Sequence, residues 1–552
     1  MTNEPNSSAT LSAEGTASSS KARWLALAAA LLGWMFDGAE MGVFSLVGRP
    51  AVKDLLRSAD EGTVGLWFNV IMAGFLVGAA TGGVVFGWLG DRIGRVRAMT
   101  LSVLVYAIFT GLCGLASAAW QVGLLRFIAA LGMGGEWSLG VALVMEVWPN
   151  RSRAVMAGLI GAAANVGYLL VGVIGLGLVQ FLGNIHSGLL AIGVSENWVN
   201  KLADPNYAGW RLMMLIGTLP ALLTFFIRMF VPESAKWERE KRSGTTSHWA
   251  GQDLLGVLVG VAGPALIVYL WAWPGPPWLP HSAVVRIVGT LIGLAVATAG
   301  YTFPLIRFFV RQSAGDAAGD ATAWHGTFRR MLLAAGLSGV ALLGTWGSTQ
   351  QAPAWADKMT EADFRAHKAA MIEAGQSGAA DLERPKLKAK EYTLIWLSIG
   401  AIVGTIAAAF AGDWLGRRPA YFLLCVLSLA TAWGLFLTNR SYGPTFLMWS
   451  FVAGVCTASF YGWLPLYLPE LFRTSVRATG QGFGFNFGRI LAAIGVLQVG
   501  NLLKVFDTEV TFAGLTIPGG HPLACSTICL IYFVGMVLIW FCPETKGKPL
   551  PE

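Results

Sequence analysis

Apolar residues run in long stretches broken by short polar turns along almost the whole chain. Strict alternation would mark a half-buried strand and a narrow apolar stripe a surface helix, whereas runs of about 20 apolar residues are what a helix needs to cross a bilayer. The pattern predicts fourteen transmembrane helices, at residues 24–47, 64–88, 98–118, 120–147, 154–182, 208–231, 252–273, 284–308, 328–352, 392–412, 419–438, 444–467, 478–503 and 522–542. Basic residues concentrate in alternate connections: Arg92, Arg95 and Arg97; Arg151 and Arg153; Lys236 to Arg242; Arg307 to Arg330; Arg417 and Arg418; Arg473 and Arg477; Lys546 and Lys548. Cytoplasmic loops carry such an excess, so both termini are read as cytoplasmic, as an even number of spans requires. The one long polar segment, about 353–391, mixes acids and bases (Asp357, Lys358, Glu361, Asp363, Arg365, Lys368) and is expected outside as a solvated cap with some helix.

Composition agrees with a membrane class. The 552 residues are 55% hydrophobic and 13% charged, against roughly 25% charged in soluble domains. The net charge of +8 sits in short loops rather than in a basic stripe, so nucleic acid is not an expected partner. Cys113, Cys425, Cys456, Cys525, Cys529 and Cys542 lie in or beside apolar runs without zinc-ligand spacing; they read as packing residues, and no metal or other cofactor is expected. Residues 1–22 read as a disordered cytoplasmic tail. The apolar run after Arg23 is too long for a signal-peptide core and reads as a retained first helix. No phosphate-binding GxxxxGK[ST] stretch occurs and the six histidines are scattered, so neither an ATP-driven pump nor an enzyme is expected.

The turn after the second predicted helix reads Gly87-Trp88-Leu89-Gly90-Asp91-Arg92-Ile93-Gly94-Arg95, and the turn after the tenth reads Gly412-Asp413-Trp414-Leu415-Gly416-Arg417-Arg418. Glycines allow a tight turn, and the aspartate can accept charge-assisted hydrogen bonds at the mouth of a neighbouring helix while the arginines stay at the cytoplasmic surface. Such a repeat suits a latch that holds one conformation and releases another. On these turns the chain resembles the major facilitator superfamily. Residues 126–153 (RFIAALGMGGEWSLGVALVMEVWPNRSR) are similar to the fourth helix of its sugar and metabolite–proton symporters. The stretches from Pro232, Pro469 and Pro543 resemble the sequences after their sixth, tenth and last helices.

The resemblance implies an all-α polytopic fold of two six-helix bundles, residues 23–235 and 326–542. Residues 236–325 would hold central cytoplasmic loops and an inserted transmembrane pair, and 543–552 a cytoplasmic tail. The bacterial sialic acid transporters carry a similar insertion, whereas Asp37-Gly38-Ala39-Glu40 is similar to a helix-one pattern of the aromatic-acid–proton symporters. A cytoplasmic gate is expected from Gly87, Asp91, Arg92, Gly94, Arg95, Glu146, Arg153, Gly412, Asp413, Arg417, Arg418, Glu470 and Arg477.

An ionisable side chain at bilayer depth costs roughly 2.5 kcal/mol or more, which makes each one a functional candidate. Glu40 lies roughly 24 Å into helix one from inside and Arg126 about 9 Å into helix four from outside, so the two can meet at similar depth. In the symporters resembled, an acid and an arginine at these positions couple transport to protons; Asp37 and Glu136 are further candidates for proton coupling, and a permanent structural pair is the plain alternative. Arg489, about 16 Å into its helix, is a candidate anion clamp, because a guanidinium can hold a carboxylate by two parallel hydrogen bonds. Gln350, Gln351, Trp346, Asn165, Tyr168, Tyr461, Trp463 and Asn486 are the other candidates for substrate contact. The expected function is proton-coupled symport of an organic acid by alternating access, with a sugar acid such as sialic acid first and aromatic or other carboxylates second. A neutral-sugar carrier and a non-transporting sensor are the rivals. The expected partners are substrate, protons and membrane lipid, with no obligate protein partner, in a plasma membrane of the bacterial inner-membrane kind.

Overall fold

A computed structural model describes residues 20–57, 60–204, 207, 209–220, 223, 227, 230–277, 280–315, 323–374, 388–512 and 515–551. Among them, thirteen stretches are helical, long enough and apolar enough to cross a membrane. They correspond to every predicted span except 208–231, which lies partly outside the described residues. Helix dominates because a backbone in hydrocarbon must bond its own amides and carbonyls. The exception is one short antiparallel pairing, Val510–Phe512 with Leu515–Ile517.

The elements used below are α1 (Ser20–Leu56), α2 (Glu61–Ile93), α3 (Arg95–Cys113), α4 (Ala119–Val147), α5 (Arg153–Ala191), α6 (Leu254–Ala272), α7 (Ala283–Gly315), α8 (Ala323–Trp346), α9 (Ala352–Glu373), α10 (Ala389–Leu415), α11 (Arg417–Thr438), α12 (Pro444–Thr457), α13 (Phe460–Tyr467), α14 (Arg477–Asn486) and α15 (Gly488–Val505). Close approach of α2 and α4 depends on glycine. A Cβ on Gly82 would overlap the carbonyl of Leu131, and one on Gly134 would overlap that of Ala79. Backbones that touch in this way gain dispersion contacts that lipid cannot supply.

Two boundaries differ from the sequence expectation. α1 runs on through Pro50 to Leu56, so Arg49, Lys53 and Asp54 ride on a helical extension. Asp54 fastens it, accepting from Trp210 Nε1 at 2.9 Å and pairing with Arg211 at 3.4 Å. The expected external cap is largely α9, which buries Ala352, Trp355, Ala356 and Met359, a helical i, i+3, i+4, i+7 face. The Trp355 ring centroid lies 5.3 Å from those of Phe436 and Phe446.

Candidate functional site

A cavity of about 110 Å³ lies where α1, α4, α5, α8, α10 and α12 converge with the α14–α15 segment. Arg489 reaches it from α15 and Asp37 from α1, each 7% exposed. Neither is closed into an ion pair or a hydrogen bond among the described residues, and Arg489 Nη1 and Asp37 Oδ1 are buried without a partner. Trp34 Nε1 and the Tyr168 hydroxyl, on the same wall, are also unpartnered. Six aromatic side chains, Trp34, Trp137, Tyr168, Trp346, Tyr461 and Phe485, share the rest of the lining with aliphatic residues and with polar ones such as Asn165, Thr345, Gln350 and Ser398. Phe485 stacks on Trp137 with ring centroids 3.7 Å apart, and the Arg489 guanidinium lies 5.5 Å from the Phe485 ring. The site is thus one buried, unpaired cation and one carboxyl among aromatic and mostly apolar walls. Buried polar groups left unpaired are costly, and here they face a common space that a polar ligand could fill.

Asn165, Tyr168, Gln350, Trp346 and Tyr461 line this cavity as the sequence suggested. Three other candidates do not. Gln351 turns its amide back to the Trp346 carbonyl at 3.1 Å. Trp463 is fully buried between Tyr421 and Tyr467. Asn486 donates to the carbonyls of Gly134 and Gly482, at 3.0 and 3.1 Å, and joins α14 to α4. Trp34, Trp137 and Phe485 were absent from the sequence candidates. Trp34 is three residues from Asp37 and Phe485 four from Arg489, so a same-face search around each buried charge would have found both.

Glu40 and Arg126 meet, with Nη1 2.5 Å from Oε1, but beside the cavity rather than in its wall. The guanidinium is held between Phe44 and Phe75, at 4.0 and 4.6 Å from their ring centroids, and Thr110 donates to Glu40 at 3.2 Å. Glu136 is buried with neither oxygen hydrogen-bonded, pressed against Gly33, one turn before Asp37 on α1.

On one face the two parts of the chain are locked together. Asp91 accepts from the Thr479 N–H at 2.8 Å, the Thr479 hydroxyl at 2.6 Å and the Ala478 N–H at 3.3 Å, so it caps the N-terminus of α14, where the helix dipole favours an anion. Arg95 pairs with Asp91 at 2.7 Å and Glu146 at 3.3 Å and donates to the Thr474 carbonyl at 2.8 Å. Arg477 completes the set, 2.8 Å from Glu146. Gly94 turns α2 into α3 at φ +115°, a backbone open to glycine. Gly87 has no room for a side chain, since a Cβ would lie 2.7 Å from the Ala478 carbonyl.

The second turn does not form the equivalent latch. Arg417 pairs with Glu470 at 2.7 Å, but the Asp413 side chain is 59% exposed and, among the described residues, meets only Arg417, at 3.4 Å. Arg418 donates to the Cys542 carbonyl, Gly412 packs on Trp463, and Arg92 is exposed over the Trp88 ring. Arg153 is buried. Glu233 and Glu544 hold the two turns in parallel fashion. Glu233 accepts from the N–H groups of Arg95 and Val96, Glu544 from those of Arg417 and Arg418. Burial pushes the Glu233 carboxyl above its ordinary range, whereas at Glu544 burial is outweighed by those amides and the carboxyl is held below it.

A Cβ at Gly482 would overlap the carbonyl of Gly83 across the same seam. Gly482→Val is therefore expected to push α14 off α2 and open the cavity on the Asp91 face. In a cysteine-free background, Ser398→Cys in the cavity should then react with an impermeant maleimide from that side; unchanged labelling would contradict it.

Residues 25–249 match the family signature described as "Sugar (and other) transporter". The chain is 30% identical over 335 residues to a gentisate transporter of Corynebacterium glutamicum, covering 57% of this chain and 66% of the relative. It is 28% identical over 217 residues to a sialic acid transporter of Escherichia coli, covering 39% of this chain and 45% of the relative. In fold it is similar to the proton:xylose symporter, with a TM-score of 0.60 at 16% identity over 96% of this chain and 98% of that one. With its membrane-length helices around a central cavity, the chain has the all-α, multi-pass fold of the major facilitator superfamily, and residues 25–249 carry the signature of its sugar (and other) transporters.

Proposed function

We propose that the protein is a proton-coupled symporter of a small aromatic carboxylate, working by alternating access. The observation that carries this reading is Arg489. Its unpartnered Nη1 lies in a cavity walled by aromatic rings, where a guanidinium can take a carboxylate by two parallel bonds while the ligand's ring stacks on Trp or Phe. In this reading Asp37 is the coupling acid. With Arg489 engaged by substrate, a proton on Asp37 removes the second negative charge from the same low-dielectric space; without substrate, Asp37 is the anion that Arg489 faces. Glu136, against the preceding turn of α1, can exchange that proton, and the Glu40–Arg126 pair fixes α1 against α4.

Alternating access would require the Asp91 latch to break while contacts on the opposite face form. One contact of that kind, the Lys390 amine donating to the Ser45 carbonyl at 2.9 Å, is already present together with the closed latch and would have to open in turn to admit substrate from that face. The Lys and Arg distribution supports placing the Asp91 face and both termini in the cytoplasm, with the halves and the inserted pair divided as the resemblance implies.

An aromatic acid is favoured over a sugar acid because six aromatic side chains line the wall, while Asn165, Thr345 and Ser398 already donate to the carbonyls of Gly161, Ala341 and Leu394, at 2.9, 2.7 and 2.7 Å. The gentisate relative is consistent with this order, while the sialic acid relative keeps sugar acids as the second choice. The test is uptake into proteoliposomes under an imposed pH gradient, comparing hydroxybenzoates, sialic acid and neutral hexoses. Hydroxybenzoate accumulation that collapses with a protonophore is expected. Accumulation of hexoses alone would overturn both the clamp and the substrate class.

A further inference from the structure

The α6–α7 pair stands outside the cavity, and its two helices touch closely near their middles. A Cβ on Gly263 would overlap the Gly293 carbonyl, and one on Gly300 would overlap Gly260. Towards the Asp91 face Phe303 packs on Gly256, and Arg311 pairs with Asp253 across the two helices. Their ends meet the segment that leads from that face: Arg311 Nε donates to the His248 carbonyl at 2.6 Å, and earlier in the same segment Trp237 Nε1 donates to the Asp91 carbonyl at 2.9 Å. Both helices line an open groove of about 530 Å³, with apolar Leu255, Gly256, Val259, Ala299 and Phe303 along it and Gln252, Asp253 and Arg307 at its end. It faces away from the protein: Leu255 is 65% and Val259 63% exposed.

The charges at its mouth are unequal. Asp253 is neutralised by Arg311, whose Nη1 and Nη2 donate to its two oxygens. Arg307 is exposed and makes no hydrogen bond or ion pair among the described residues. It lies eight residues beyond Ala299, about 12 Å along the helix. The groove therefore combines an apolar slot at hydrocarbon depth with one uncompensated guanidinium at headgroup level.

We propose that this groove binds one anionic phospholipid from the leaflet on the Asp91 face. An acyl chain lies along Val259, Ala299 and Phe303. The phosphate accepts from the Arg307 fork, with the Gln252 amide as a second donor. A zwitterionic headgroup carries its own ammonium and leaves less net charge for Arg307 to attract. The site goes beyond the transport reading and does not depend on the substrate. Through the pair it touches the rest of the fold, because Tyr301 of α7 shares a 2.7 Å hydrogen bond with Thr81 of α2.

The test uses the purified full-length chain in detergent, titrated with dioleoyl-phosphatidylglycerol or dioleoyl-phosphatidylcholine and read by native mass spectrometry. One tightly held phosphatidylglycerol is expected on the unmodified protein and on Arg329→Gln, an exposed cation elsewhere in the chain. Arg307→Gln, which removes the charge, and Ala299→Trp, which fills the slot, should each weaken it roughly five- to tenfold. A thermal-unfolding midpoint raised by phosphatidylglycerol and not by phosphatidylcholine, and lost in Arg307→Gln, supports the same site. Equal retention of both lipids, or undiminished phosphatidylglycerol binding in both variants, overturns the proposal. So does a dimer that disappears on Ala299→Trp, which would seat a second copy in the groove.

Discussion

Arg489→Lys is expected to cut uptake of a carboxylate substrate by about two orders of magnitude while leaving the protein folded. The substitution keeps the positive charge opposite Asp37, so a loss cannot be ascribed to a missing cation. What goes is the planar fork: an ammonium offers point donors on a flexible stem and cannot hold both oxygens of a carboxylate in one plane. Losing one charge-assisted hydrogen bond costs roughly 1.5–3 kcal/mol, and loss of the guanidinium's contact with Phe485 adds about 0.5–1 kcal/mol. Together these approach a hundredfold in affinity. The measurement is initial uptake rate against substrate concentration in proteoliposomes, beside a size-exclusion profile. Unimpaired uptake by well-folded Arg489→Lys would remove the clamp from the mechanism.

Asp37→Asn should abolish accumulation driven by a pH gradient while substrate exchange across the membrane persists. The amide keeps the shape and hydrogen-bonding capacity of the carboxyl but cannot load or release a proton, so Arg489 can still bind and return substrate without coupling. Glu40→Gln provides the contrast. Its partner Arg126 is 1% exposed and held between two phenylalanine rings, so removing the charge strands a buried cation. Breaking one side of such a pair costs about 3–5 kcal/mol, and a large drop in thermal stability is expected, relieved in part by the double change Glu40→Gln with Arg126→Gln. If Asp37→Asn still concentrates substrate against its gradient and only Glu40→Gln uncouples, the proton resides on Glu40 instead.

The α1 charges illustrate how far the residues alone lead. Their three-residue spacing puts Asp37 and Glu40 on one side of the helix, and depth counting brings Glu40 level with Arg126. Both inferences depend only on the turn and rise of a helix, which every span shares. Which of the two acids faces the cavity depends on the rotation of α1 about its axis, and a helix apolar on all sides gives no amphipathic signal from which to read that rotation. The same ambiguity misled the choice of Trp463 and Asn486, which turn into helix packing, and hid Trp34, Trp137 and Phe485, which turn inward.

The two glycine–aspartate turns show the limit in another form. Their sequences are alike, yet only Asp91 meets a helix N-terminus, while Asp413 faces solvent. Local sequence specifies a turn that can latch; whether it does depends on where the opposing helix stands in the conformation adopted. What the amino-acid order determined unaided was the membrane class, the helical character and approximate limits of the spans, and the pool of buried charges, because hydrocarbon tolerates neither open backbone nor idle ions. Tertiary packing alone decided which of those side chains share a cavity, since helix rotation and tilt are set by contacts between segments hundreds of residues apart.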